Sequence, residues 1–377
     1  MDKNSLTGFI LIAAILFGFS WYQNKQYKER MELQAQLDSA AMVAGMAQGA
    51  TADPVVLTEG GEAMPAGAIY KDSLLEASHA SAEVFHTLRN GKLEVVFTSR
   101  GAQPYSARLK DFRNYDSTDL YIFKPGNSEY SVSVYTGEYI KTSDFTFNIV
   151  DASDSHVVMR LPFSNGGYIE QKYTLEDESY MVRNELSFVG MQGVIPRNVS
   201  SFDLDFSMTV PRMEKGYKNE SQYSKLDYYF DGEKKPEEMG RGRNSTKRID
   251  SKLSWFAFQQ QFFSAILSAD KEFSSGDFSV KFYGEDDELG NLMSCTAKMR
   301  ADLGRGENAK FSGRFYFGPN HYSTLKALGD KKEKVIQLGG SLVGWISRFV
   351  IIPIFNFLNR FISSYGLIIL LMTILIK

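Results

Sequence analysis

Cysteine is nearly missing from this chain: Cys295 is the only one in 377 residues. No intramolecular disulfide can staple the fold, so the water-soluble part must be held by a packed core. The count leaves the compartment open. Signature motifs of catalysis are missing as well, with no G-x-S-x-G, no P-loop, no H-E-x-x-H and no C-x-x-C. Charge of one sign is not in excess: the net charge is -3 and no long basic stretch occurs, which removes electrostatic support for a nucleic-acid partner. Apolar residues make up 43% and charged residues 23%, so most of the chain must fold in water and not as a bundle of spans. What the chain does hold is aromatic. Its 20 Tyr and 28 Phe favour a β-rich core, and its length allows two domains.

Residues 6–22 form the first apolar run. They carry no charge and close on Trp21 and Tyr22, an aromatic pair suited to a headgroup boundary. At 1.5 Å per residue the run reaches about 25 Å, slightly short of a hydrocarbon core of roughly 30 Å. A cleaved signal peptide is the alternative reading. Gln23 to Arg30 supply polar and charged residues where a small-residue cleavage site would stand, which favours an uncleaved anchor. Asp2 offsets Lys3, and Glu29 and Glu32 lie among Lys25, Lys28 and Arg30, so the positive-inside rule gives no strong orientation. Residues 39–82 are rich in Ala, Gly, Met and Ser with no periodic apolar face, and 25–82 as a whole is expected to be a flexible tether. Met42, Met46 and Met64 are irregularly spaced and have no accompanying His, which argues against a metal tract.

From about residue 83 the apolar period becomes two. Leu93, Val95 and Phe97 alternate with other residues, as do Val132 and Val134, then Phe145, Phe147 and Ile149, and Val157, Met159 and Leu161. The same holds for Phe202 to Met208, for Phe278, Val280 and Phe282, and for Phe311 to Phe317. Asn90–Gly91, Pro125–Gly126 and Asn165–Gly166–Gly167 punctuate the runs as turns. The pattern predicts a large antiparallel β-sandwich. Residues 211–252 interrupt it with interspersed acids and bases. Gly240, Arg241, Gly242 and Arg243 at its basic end resemble an anion site, but a solvated loop is the expectation.

After His321 the pattern turns helical. At 100° per residue, Ser341, Arg348, Asn356, Asn359, Arg360 and Ser363 share one arc of about 120°, with Trp345, Ile346, Phe349, Ile352, Phe355, Leu358 and Ile362 outside it. A narrow basic-polar stripe beside an aromatic-rich remainder suits a helix lying in a membrane interface, kinked at Pro353. A buried helix of a globular domain is the blander alternative. Residues 365–376 are uninterruptedly apolar and end at Lys377. Twelve residues rise only about 18 Å, too short to cross a bilayer, so a span truncated at Lys377 is expected. A cation at mid-span should face a wet cavity and be functional.

This order of segments resembles the YidC group of the Oxa/YidC/Alb family, in its Gram-negative, Bacteroidetes-like form. Residues 254–267 (SWFAFQQQFFSAIL) are similar to the family's G-W-x-A-x-x-Q-x-Y-F strand, and Phe317–Gly318–Pro319 with 325–328 resembles its W-V-G-P turn and following helix. Residues 344–377 resemble the interface helix and the start of the second span, with Lys377 at the position of the family's groove arginine. Lysine there keeps the charge but loses the bidentate fork. The resemblance divides the chain into an anchor at 1–24, a tether at 25–82 and a periplasmic domain at 83–320. A linker helix follows at 321–340, an interface helix at 341–364 and a truncated span at 365–377.

The family likeness implies several further things. The β domain would be a supersandwich of the galactose-mutarotase type. The function would be insertion and chaperoning of nascent membrane proteins in the bacterial inner membrane, beside the Sec translocon or alone, without cofactor, metal or enzymatic chemistry. Residues from about 25 to 340 would lie in the periplasm of a multi-pass protein, and a ribosome contact would fall beyond residue 377. Lys377 would serve the substrate groove, and Trp345, Arg348, Pro353, Asn356, Asn359 and Arg360 the membrane-interface helix. A membrane-anchored carbohydrate-binding or epimerase-like protein is the rival reading. That chemistry needs a His and a carboxylate converging in a cleft, and His79, His86, His156 and His321 show no such pairing in sequence.

Overall fold

Period-two alternation becomes strands because every second side chain points to the same face of a pleated chain. In the computed structural model, residues 70–304, 308–337, 341–362 and 364–376 are described. The expected anchor and tether residues up to 69 lie outside that range. Among the described residues nineteen strands are paired, and the pairs with an assigned register all run antiparallel. They form three sheets. The first holds β1 (Phe85–Arg89), β2 (Leu93–Thr98), β3 (Gln103–Arg113) and β4 (Asp119–Phe123) in sequence order.

The second sheet has nine strands. Its outer part is built from β7 (Asn148–Ala152), β8 (His156–Pro162), β9 (Tyr168–Leu175) and β10 (Met181–Val189). β19 (Asn308–Pro319), β16 (Phe263–Phe273), β15 (Leu253–Gln259), β12 (Lys225–Tyr229) and β13 (Glu237–Met239) complete it in that spatial order. The third sheet is centred on β11 (Ser201–Pro211), between β5 (Ser128–Tyr135) and β18 (Asn291–Asp302). β17 (Ser275–Phe282) and β14 (Ser245–Ile249) extend it on one side and β6 (Tyr139–Lys141) on the other.

The nine-stranded sheet packs its inner face on both smaller sheets. Phe97 on β2 meets Tyr173 on β9 at 4.4 Å between ring centroids, and Phe123 on β4 meets Phe317 on β19 at 5.3 Å. Across to the six-stranded sheet, Phe206 on β11 stacks on Phe258 of β15 at 5.2 Å. Aromatic pairs at these spacings add to the burial that drives the sheets together. A polar chain runs through the interior: the Tyr130 hydroxyl donates to Asn184 Oδ1 at 2.9 Å, and the Asn184 amide donates to Gln171 Oε1 at 2.8 Å. This large all-β sandwich agrees with the period-two reading.

The turn signals sit where the sequence put them. Asn90 Oδ1 accepts from the Lys92 and Leu93 amides, both at 2.8 Å, which closes the β1–β2 hairpin. Gly166 has φ +84°, and a Cβ on Gly167 would lie 2.5 Å from the Gly190 carbonyl oxygen, so the β8–β9 turn needs glycine twice.

Three expectations change. Residues 70–82, assigned to the tether, are folded: helix α1 (Ser73–His79) is capped by Asp72, whose carboxylate accepts from the Leu74 amide at 2.9 Å, and Leu75 is buried. Residues 211–252 are no solvated loop. They supply helix α2 (Tyr217–Tyr223) and strands β12, β13 and β14, with all of Lys225–Tyr229 buried. Charge misled the reading because Lys225, Asp227, Glu238 and Arg241 pair with one another there. Finally, residues 254–267 form a hairpin across β15 and β16, not one strand.

On its outer face the nine-stranded sheet carries a second, smaller core. Helix α3 (Tyr322–Ala327) and the 3-10 turn Lys332–Val335 lie over Trp255, with Leu325 and Val335 buried against Tyr229, Ile266 and Tyr316. The Trp255 indole stacks on Tyr229 at 5.6 Å and donates to the Asp330 carbonyl at 2.9 Å. The buried Lys332 ammonium lies 5.7 Å over the indole and pairs with Asp330 at 3.0 Å. This locks the start of the helical end of the chain to the sandwich.

Candidate membrane-facing site

Past the 3-10 turn, the described helices are α4 (Ser341–Ile346), a π turn at Ser347–Ile351, α5 (Ile352–Asn359) and α6 (Tyr365–Ile376). Pro353 gives the π turn its physical reason. Proline has no N–H to donate, and its ring crowds the carbonyl one turn back, so the preceding turn widens to i→i+5. The expected disturbance at Pro353 is therefore a π turn ahead of it. An extra residue in one turn shifts the phase by up to about 100°. Arg348, within the π turn, is half-buried, and Asn359 and Arg360 are exposed at the far end. Asn356 is half-buried and Pro353 exposed.

Large apolar side chains face outward along these helices. Trp345 is 57% exposed, Phe349 59%, Phe357 60% and Phe361 74%, and on α6 Ile369, Leu370, Ile374 and Leu375 are exposed too. Only Ile368 and Met372, one turn apart, are buried among the large apolar residues described on α6. Phe355 stacks on Tyr365 at 5.9 Å and joins α5 to α6. Soluble surfaces do not leave such a continuous apolar face to water. No helix among the described residues is long and apolar enough to cross a membrane. Lys377 lies outside the described residues.

Between α4, the π turn and the edge of the nine-stranded sheet lies a cavity of about 1000 Å³. Its floor is a buried ion network that sequence reasoning missed. Lys225 and Asp227, two apart on β12, point to the same side, and the Lys225 ammonium reaches Asp227 and Glu238 at 2.7 Å each. Burial pushes the Asp227 carboxyl up to about 6 while the Lys225 charge pulls it back. Burial also works against ionised Glu238, but hydrogen bonds from Lys225 and Arg241 outweigh it and hold its carboxyl below the usual range. Arg241 Nε donates to Glu238 at 3.1 Å and its Nη1 to Gln337 at 2.7 Å, which ties β13 to the linker. The signal that could have found this network is the Lys-x-Asp spacing inside an otherwise apolar pentapeptide.

A second buried carboxylate anchors α2. Glu220 Oε1 accepts from the Met213 amide at 2.8 Å and from the Gln260 amide, while Oε2 is buried without a partner. Burial pushes this carboxyl up to about 7.

The histidines do not converge on a carboxylate cleft. His79 bonds the Asp144 carbonyl, His86 the Ser153 carbonyl and His321 the Thr324 hydroxyl. His156 alone of the four meets a carboxylate in an ion pair, Asp151 at 3.0 Å, and this pair lies on the β7–β8 hairpin at the edge of the nine-stranded sheet. Asp151 is 66% exposed, which makes the pair a surface contact.

Known proteins were compared with this chain. The family model described as the YidC periplasmic domain matches residues 86–355. A membrane protein insertase YidC from Porphyromonas gingivalis is 31% identical over 401 residues, covering 100% of this chain and 62% of its own length. The same-named proteins of Parabacteroides distasonis and Bacteroides fragilis are 30% and 29% identical, again over the whole chain and over 62% and 61% of their own lengths. The chain thus spans about three fifths of the curated relatives it matches. Among solved structures, a putative aldose 1-epimerase from Escherichia coli K12 covers 63% of this chain and 100% of its own at 11% identity, with a TM-score of 0.39. A galactose mutarotase-like protein from Lactobacillus casei reaches 12% identity and a TM-score of 0.40 over 62% of this chain and 100% of its own. Scores at that level say nothing about sugar chemistry here. With the matched domain occupying residues 86–355, the chain belongs to the YidC family.

Proposed function

We propose that this chain is part of a membrane protein insertase that hands hydrophobic segments of nascent proteins to the bacterial inner membrane. The observation that carries the reading is the continuous outward apolar face from Trp345 to Leu375, attached to a folded β domain by the Trp255 lock. Such a face needs a lipid or partner surface, and helices α4 and α5 suit the interface while α6 enters it. The sandwich and linker, from residue 70 to about 340, lie on the periplasmic side, with residues 1–24 as anchor. Nascent membrane proteins are the substrates, and Sec translocon components the neighbours. The fold has the supersandwich arrangement of mutarotase-like domains, used here as a scaffold. To Lys377, outside the described residues, we assign the substrate groove, where a cation would lower the cost of a polar substrate flank.

The test is a reporter-insertion assay in cells depleted of their own insertase, supplied with the full-length protein or its Lys377→Ala variant. Restored insertion by the full-length protein supports the reading, and none at all refutes it. Unchanged insertion of every reporter by Lys377→Ala removes that residue from the mechanism.

A further inference from the structure

The acids and bases of the cavity beneath Trp345 do not balance locally. Each acid lining it is already engaged: Asp227 with Lys225 at 2.7 Å, Glu238 with Lys225 at 2.7 Å, and Glu237 with Lys247 at 3.1 Å. Glu237 also accepts from the Tyr228 hydroxyl at 2.6 Å. Three cations of the same lining, Lys235, Lys334 and Arg348, have no ion pair among the described residues. Among the described residues Arg348 Nε is buried with no acceptor, which leaves a charged donor unsatisfied. Lys334 carries the mark of its surroundings: burial lowers its pKa and the Arg348 charge lowers it further, against the smaller opposing pull of Glu333. Two cations repelling each other in one cavity, one with a starved donor, describe a site shaped for an anion.

The other wall of the cavity is apolar and leads outward. Trp345 and Phe349 line it while remaining 57% and 59% exposed on the helix that meets the membrane surface. A ligand for this place is anionic at one end and apolar at the other. We propose that Lys334 and Arg348, with Lys235 at the rim, bind the phosphate of an anionic lipid headgroup and so fix the height of the sandwich above the bilayer. The acyl chains leave past Trp345 and Phe349 into the lipid, and Arg348 Nε gains its acceptor. This rests on the interfacial placement of α4 and α5 in the proposed function.

Native mass spectrometry of the full chain in neutral-detergent micelles tests the site, with phosphatidylglycerol, phosphatidylcholine and inorganic phosphate as probes. Phosphatidylglycerol should be retained on the order of tenfold more tightly than phosphatidylcholine, and Lys334→Ala/Arg348→Ala should abolish the preference. Arg89→Ala, an exposed arginine on β1 paired with Asp154 at 3.3 Å and more than a hundred residues from any of the three cations, should leave the preference intact. Equal retention of both lipids, or a preference that survives the double variant, overturns the proposal. Inorganic phosphate binding as tightly as phosphatidylglycerol overturns the lipid as the source. Unchanged thermal melting of the double variant confirms that it is folded. Quenching of Trp345 by brominated lipid, in a Trp21→Phe background, separates the two readings: no quenching refutes the interfacial helix, whereas quenching without headgroup preference refutes only the site.

Discussion

Trp255 and Trp345 show how differently the two ends of this molecule use the same side chain. Trp255 is fully buried, stacked on Tyr229, with its indole N–H donating to the Asp330 carbonyl. Trp345 is 57% exposed, tilted against Phe349 at 5.7 Å on a helix whose apolar face points away from the protein. In the sandwich, apolar area is removed from water by the chain itself. At the helical end the apolar area waits for another phase. One region is stabilised by its own core and the other by what it meets.

The sharpest way to break this comparison is to truncate each tryptophan. Trp255→Ala should cost about 3–5 kcal/mol of sandwich stability, read as a lowered thermal midpoint, because it empties the small core and frees the linker. Trp345→Ala should leave that midpoint unchanged, and a spin label placed at Phe349→Cys in that variant should lose accessibility to lipid-phase oxygen. A large stability loss from Trp345→Ala would mean the helical end belongs to the core.

The next effect concerns buried charge. Lys225→Ala strands Asp227 in the sheet, and the loss should be about 3 kcal/mol at pH 8 in chemical denaturation. The loss should shrink near pH 5, because Asp227, already pushed up to about 6, takes a proton and no longer needs the ammonium. An equal loss at both pH values would show that Lys225 acts by packing.

Glu220 gives a smaller effect of opposite dependence on alkali. Its folded pKa of about 7 lies above its unfolded value, so its contribution is fully present below about pH 4.5 and is lost as pH rises to about 7. Glu220→Gln should remove about 2 kcal/mol of that slope while keeping the hydrogen bond from Gln260 out of reach of titration. A stability curve against pH with the slope unaltered would assign it to another group.

Pro353→Ala should have the least effect on stability. It restores a backbone donor and should let the π turn relax to α, rotating α4 against α5. The expected readout is a change in Trp345 emission and lipid quenching with no change in sandwich melting. An unmoved Trp345 would mean that contacts other than proline hold the π turn.

Much of the sandwich was legible because alternation is a local property. Leu93, Val95 and Phe97, or Phe202, Leu204 and Phe206, are buried as their period requires. The edges of the reading failed for two physical reasons. Residues 70–82 look like tether because about two turns of helix have little periodicity, and Leu75 is buried only through long-range packing. Residues 211–252 look solvated because charge is read residue by residue, whereas Lys225, Asp227 and Glu238 neutralise one another only once β12 and β13 pair. The cavity behind Trp345 was invisible for the same reason: Lys235 and Lys334 come together with Arg348 through the fold, from positions about a hundred residues apart.

By itself the sequence determined the β character of the middle, the turns at Asn90 and Gly166, the apolar helical end and the family likeness carried by residues 254–377. Each of these follows from side-chain period, glycine geometry or a short motif, and none needs a distant partner. Tertiary structure alone decided which charges are buried, that Trp255 ties the linker to the sheet, and that a π turn precedes Pro353. Those depend on which strands become neighbours, and pairing over such distances is settled by the whole core at once.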